Sequence, residues 1–173
     1  MRHAAAYFAS QLNDIDDDFD LIFCSSIMNG AEFRGLVPAR FRNIPMVVYF
    51  HENQLEYPLS GSNVSTGAVM ANFMTALAAV QGWFNSHYNR DSFLSGLPEF
   101  FSGMPDFQPS GELARIREKS RIMPLFVSYP PGLSEKKTDG PLHILWSARW
   151  EQDKNPQDFF RALRILKNKG IDF

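Results

Sequence analysis

Four hydrogen-bonding side chains stand in a row at His51, Glu52, Asn53 and Gln54, directly after the apolar run Met46-Val47-Val48-Tyr49-Phe50. A short continuous apolar run of this kind reads as a strand buried on both faces. Ligands of open α/β sheets sit just beyond the carboxyl ends of such strands, which places the quartet where chemistry is expected. The alternative is a structural histidine satisfied by its neighbours. His-Glu also opens the zinc-protease motif, but that motif needs a second His three residues after the Glu on one helical face, and Leu55 stands there. A second group is Arg149-Trp150-Glu151-Gln152-Asp153-Lys154, between an expected strand and an expected helix. A guanidinium fork and an ammonium at a βα turn, with unpaired N–H groups at the helix start, suit a diphosphate. The alternative is a solvated loop in which Glu151 and Asp153 offset the cations. Asn85 and Ser86 form a third group, after Phe84 at the end of a short expected strand; Ser86 suits a helix N-cap, and both face the same strand-end position.

The elements that must hold these residues alternate. Helix is expected over Ala4–Leu12, strand over Phe19–Cys24, a helical turn over Asn29–Arg34, and strand over 46–50 after Pro45. A helix over 64–79 carries Val69, Phe73, Leu77 and Val80 on one face. A strand over Val80–Asn85, a helix starting near Tyr88, a charged helix over Glu112–Lys119 and a strand over Arg121–Val127 follow. Residues 128–140, rich in Pro, Gly and Lys, form the best linker. The pattern restarts with a strand over His143–Ser147 and a helix capped by Asn155, begun by Pro156 and ended at Gly170. Such alternation argues for parallel βαβ units, an α/β fold. No GxGxxG, Walker A, CxxC or GxSxG pattern is present.

Composition narrows the class. The chain is 45% hydrophobic and 14% aromatic, which excludes overall disorder. Its net charge of −2 sets up no broad field for nucleic acid, and the basic run Arg115–Arg121 reads most simply as a solvated helix face. Cys24 is the single cysteine, so no intrachain disulfide forms and a reducing, cytoplasmic setting is expected. No run of about 18 apolar residues occurs, so no membrane span is expected. The amino end lacks the apolar core of a signal peptide.

Taken together, Tyr49-Phe50-His51-Glu52-Asn53-Gln54-Leu55-Glu56-Tyr57-Pro58, Phe84-Asn85-Ser86 with Asn89-Arg90-Asp91-Ser92-Phe93-Leu94, and Trp146–Pro156 closely resemble the tRNA-queuosine mannosyltransferase family, of retaining GT-B glycosyltransferase type. The resemblance runs from Ala5 to Phe173. It implies two Rossmann-like domains: an acceptor-side domain over 1–127, the linker over 128–140, and the first βα unit of a nucleotide-sugar domain over 141–173. It implies transfer of mannose from GDP-mannose to queuosine in tRNA, with no metal and no further cofactor. His51 would contact the sugar near the reacting carbon with Glu52 beside it, as the catalytic pair. Asn53, Gln54, Asn85 and Ser86 would bind substrate. Arg149 and Lys154 would hold the donor diphosphate and stabilise charge on the leaving group.

Two departures from the family pattern stand out. Its opening strand and Gly-Gly-Ser-His loop have no counterpart here, and most of the second domain, with its acidic motif, is missing. The opening strand is central in the usual doubly wound order, so a gap in the sheet and no transferase activity of this chain alone are expected. Other readings are a non-catalytic Rossmann-like binding module, or a nucleotide-sugar transferase with another acceptor.

Overall fold

The computed structural model of the chain describes residues 3–56, 65–105, 107–129 and 140–173. The linker over 128–140 lies almost wholly outside the described residues, as do the Gly61-Ser62-Asn63 loop and Tyr57-Pro58 of the His51 block. The chain forms two compact units, Met1–Phe126 and Val127–Phe173.

In the first unit the elements are α1 (Ala4–Gln11), β1 (Ile22–Ser25), α2 (Gly30–Leu36), β2 (Met46–Phe50), α3 (Thr66–Ala78), β3 (Gln81–Phe84), α4 (His87–Ser102), α5 (Ser110–Lys119) and β4 (Ser120–Ile122). The four strands are parallel, in the order β1-β2-β3-β4. β2 is flanked on both sides and all five of its residues are buried, as a continuous apolar run predicts. The expected gap is not found within the sheet. The four strands are hydrogen-bonded neighbours, and β1 lies at an edge of the described sheet.

This order has a consequence. Parallel crossovers are right-handed, so successive steps in one direction leave their helices on one face. That face carries Met46, Val48, Phe50 and Phe84, which pack with Val69 and Phe73 of α3, Phe93, Leu97 and Phe101 of α4, and Ile116 of α5. Phe50 stacks on Phe84 with ring centroids 4.5 Å apart and 7° between planes. The opposite face bears Phe23, Tyr49 and Trp83, with Phe23 6.4 Å from Tyr49 and 5.8 Å from Trp83. A smaller cluster of Ala5, Ala9, Phe33, Val37 and Phe41 joins α1 to α2.

α4 extends well beyond its expected start and holds Pro98 in its interior. β4 stops at Ile122, short of the strand expected to Val127; Pro124 lacks the N–H a longer ladder needs. Lys119, in the charged run, donates from Nζ to the carbonyls of Leu77 (2.7 Å) and Ala79 (2.5 Å), closing the carboxyl end of α3.

The second unit contains α6 (Pro156–Asn168), capped by the Asn155 side chain and begun by Pro156. Gly170 takes a left-handed conformation (φ 75°) just past its end, and Ile171 N–H bonds back to Leu166 O at 3.1 Å. Trp146 packs on Phe159 with ring centroids 4.6 Å apart. The strand expected over 143–147 has no ladder among the described residues. A strand persists as one member of a hydrogen-bonded pair, and a single βα unit supplies no partner. No helix among the described residues is long and apolar enough to cross a membrane.

Candidate active site

β1, β2 and β3 are parallel, so their carboxyl ends open on one edge of the sheet. Ser26, His51 and Asn85 are the first residues past those ends. Phe50 is the register partner of Phe84, which sets His51 beside Asn85. Asn85 Nδ2 donates to His51 O at 2.7 Å.

His51 and Glu52 project outwards and are exposed. The His51 imidazole leans on the Tyr49 ring, centroids 4.7 Å apart and planes at 58°. Tyr49 is held in turn, its hydroxyl donating to Met123 O at 2.8 Å. An exposed imidazole backed by the Tyr49 ring and, next in sequence, an exposed carboxylate therefore stand at the mouth of the strand ends. They can hydrogen-bond a ligand's hydroxyl groups or exchange protons with it.

Asn53 points the other way and is only 3% exposed. Its Nδ2 donates to Asn89 O (3.3 Å), Asn89 Oδ1 (3.2 Å) and Ser92 Oγ (3.0 Å). Its Oδ1 accepts from Leu55 N (3.1 Å) and Glu56 N (3.2 Å). Both ends of this amide are engaged inside the protein, where a substrate contact was expected. Asn85 and Ser86 are also occupied within the structure. Asn85 Oδ1 accepts from Asn89 Nδ2 at 2.9 Å, and Ser86 Oγ caps α4 by accepting from Asn89 N at 3.2 Å. Gln54 is half-buried, with its N–H donating to Asn72 Oδ1 at 3.2 Å. At the far end of the loop Tyr88 OH donates to Glu56 Oε2 at 3.0 Å, and that hydrogen bond to the carboxylate holds the phenol's pKa above its usual value.

Sequence reasoning assigned no site role to Ser26, Asn72, Asn89 or Ser92, although Asn89 and Ser92 lie in a block that carries the resemblance. A signal was available for two of them. Asparagine is unfavourable inside helices, yet Asn72 sits in α3 among Val69, Phe73 and Ala76, and Asn89 in α4 precedes Phe93 by one turn.

Arg149 and Lys154 belong to the second unit, each with an acidic neighbour. Arg149 Nη1 lies 2.9 Å from Glu151 Oε1, and Lys154 Nζ lies 2.6 Å from Asp153 Oδ2. The hydrogen bond from Lys154 holds the Asp153 carboxyl below the usual range. The Arg149 pair is solvent-exposed, the kind of contact another anion displaces readily. The first-turn N–H of Asp158 is taken by Asn155 Oδ1 at 3.4 Å, so it does not add to an anion site.

Among curated proteins the chain is similar to the tRNA-queuosine alpha-mannosyltransferase of Drosophila melanogaster, at 33% identity over 185 residues. The match covers 99% of this chain and 48% of that protein, so the chain spans about half the length of its relative. No solved structure matches. Residues 1–127, the whole described sheet and the His51 loop, match the model of the tRNA-queuosine alpha-mannosyltransferase N-terminal family. The chain belongs to the tRNA-queuosine alpha-mannosyltransferase family.

Proposed function

We propose that this chain carries the acceptor-side domain of a retaining GT-B mannosyltransferase that moves mannose from GDP-mannose to queuosine in tRNA, in the cytoplasm, followed by the start of its nucleotide-sugar domain. The observation that carries this is the loop after β2. Its backbone is satisfied from within while His51 and Glu52 alone of the quartet are turned fully outwards. In a chain of this family, that pair would meet the sugar near the reacting carbon. The bond from the anomeric carbon to the diphosphate breaks, a bond to an acceptor hydroxyl oxygen forms, and the acceptor's proton passes to the departing diphosphate oxygen, directly or by way of His51. Arg149 and Lys154 would exchange their acidic neighbours for the donor diphosphate, offsetting charge as the nucleotide leaves.

The 173-residue chain by itself is expected to lack transferase activity. Its second unit offers one α-helix and no β ladder among the described residues on which to seat a nucleotide. Turnover of GDP-mannose by the purified chain would refute this. In a form of the protein that transfers mannose, His51→Ala should lower kcat by roughly two orders of magnitude or more, the scale of a lost acid–base group. Arg149→Ala and Lys154→Ala should weaken GDP-mannose binding. Unchanged rate or affinity would remove these residues from the mechanism. Binding of tRNA that does not weaken with rising salt would point to another acceptor, since phosphate contacts are salt-dependent.

A further inference from the structure

The loop that carries His51 and Glu52 is held through its backbone, by side chains that arrive from behind. Asn72 in α3 donates from Nδ2 to Ser26 O at 2.8 Å and accepts from Gln54 N at 3.2 Å. It thereby ties the end of β1 to the end of β2. Asn89 in α4 donates from Nδ2 to Phe50 O at 2.9 Å and to Asn85 Oδ1 at 2.9 Å, and receives Asn53 Nδ2 at 3.2 Å. Ser26 Oγ adds a donation to Glu52 O at 3.3 Å. The carbonyls of residues 50, 51 and 52 and the N–H groups of 54, 55 and 56 all find partners. None of these bonds uses the side chain of His51 or Glu52.

Asn72 is 2% exposed and Asn89 6% exposed, so neither is placed to touch a substrate. Each is an amide in which a donor and an acceptor at opposite corners are used together. That requirement explains why a buried helix face carries asparagine at both positions where an apolar residue would pack more cheaply. We infer that Asn72 and Asn89 are positioning residues for sugar transfer, fixing the backbone from which His51 and Glu52 project; the link to transfer rests on His51 acting in it, as proposed above.

The test substitutes Asn72→Asp and Asn89→Asp, which keep the shape and remove the donor, and Ser26→Ala, which removes one bond and leaves both asparagines. Two readouts are combined. In the 173-residue chain, NMR of the His51 imidazole should show its resonance moved or broadened in both Asp variants, and less so in Ser26→Ala. In a mannose-transferring form, kcat should fall about 10- to 100-fold for the Asp variants, as expected for reacting groups displaced by about 1 Å. The KM for GDP-mannose should stay within about twofold, because the amides do not meet the donor. An unmoved His51 resonance with unchanged kcat overturns the inference, as does an equal change in KM with kcat preserved. If an Asp variant does not fold, Ser26→Ala decides by the same two readouts. Should His51→Ala itself transfer mannose at the parent rate, the catalytic reading fails, and the imidazole resonance alone decides whether the asparagines position the loop.

Discussion

Replacing Asn53 by leucine separates a structural amide from a substrate ligand. Leucine keeps the branching at Cγ, in a larger volume, but offers no polar atom. Leu55 N–H and Glu56 N–H lose their acceptor, and Asn89 Oδ1 loses its donor. A buried group left without its partner costs about 1–3 kcal/mol. Glu56 lies at the exposed end of the loop and its N–H can take water, so the sum is roughly 2–4 kcal/mol. That is a large share of a typical domain stability of about 5–15 kcal/mol. Because the chain has two units, one global midpoint would mix them. Native-state hydrogen exchange at the β2 amides reads the first unit alone, and protection there should fall by roughly 30- to 1,000-fold. Asn53→Asp gives an internal control. It keeps both accepting bonds but turns a carboxylate towards Asn89 O and Oδ1, which disfavours the charged form. Its folded pKa should lie above the unfolded value, so its deficit should shrink as pH falls and the regained proton restores a donor. Protection in Asn53→Leu within about threefold of the parent would refute the reasoning, since the two groups left without a partner cannot cost less than the 0.6 kcal/mol or so that threefold represents.

Burial pushes the Cys24 thiol up from 9.0 to about 11, with Arg34 opposing weakly. The folded state keeps that proton where the unfolded chain has lost it, so the contribution is complete below pH 9 and is lost towards pH 11, at most about 3 kcal/mol. Lys119, lowered to about 8 by burial and by Arg115, acts in the opposite direction between pH 8 and its ordinary 10.5. The comparison is therefore Cys24→Ala against the parent across pH 8–11, where only the parent should show the Cys24 loss. Gly30→Ala should destabilise the first unit by about 1–3 kcal/mol, as overpacking does. A Cβ there would sit 2.9 Å from Met46 Cε and 2.9 Å from Thr75 Cγ2; Met46 can turn aside, but Thr75 is branched and its Oγ1 holds Gly30 N–H at 2.9 Å. Denaturant unfolding followed at α3 amides checks this, and an unchanged midpoint would mean that Thr75 yields.

The parallel αβ alternation was legible because period and punctuation agree: Pro45 before β2, Ser86 before α4, Asn155 before α6 and Pro156 at its first position. Two expected strands are shorter or absent in the structure. An apolar β-rich run states a preference, but a ladder needs both a neighbour and an N–H: residues 143–147 have no ladder partner among the described residues, and beyond Ile122 the pairing with β3 ends once Met123 N–H reaches Phe84 O at 2.8 Å, because Pro124 has no N–H to continue it. The position of the His51 loop was legible from one apolar run ending in polar residues. The division of labour inside it was not. His51, Glu52, Asn53 and Gln54 look alike in sequence, as four hydrogen-bonding side chains. Which of them faces outwards depends on Asn72 and Asn89, 19 and 36 residues beyond Asn53 by their numbers.

The sheet topology explains why those two partners come from helices. In parallel βαβ units each helix starts near the edge where its preceding strand ended. Residues early in α3 and α4 therefore lie next to the loops that leave β1, β2 and β3. Asn89, the third residue of α4, reaches Phe50 O, and Asn72, in the second turn of α3, reaches Ser26 O. Because the strands step in one direction, α3 and α4 lie on the same face and grip the His51 loop together from beneath. The imidazole stays on the opposite side, against Tyr49, whose face of the sheet carries Phe23 and Trp83. The helix-covered face thus supplies rigidity and the other face supplies reach. Burial at Asn72 and Asn89 and exposure at His51 and Glu52 are two results of the same strand order.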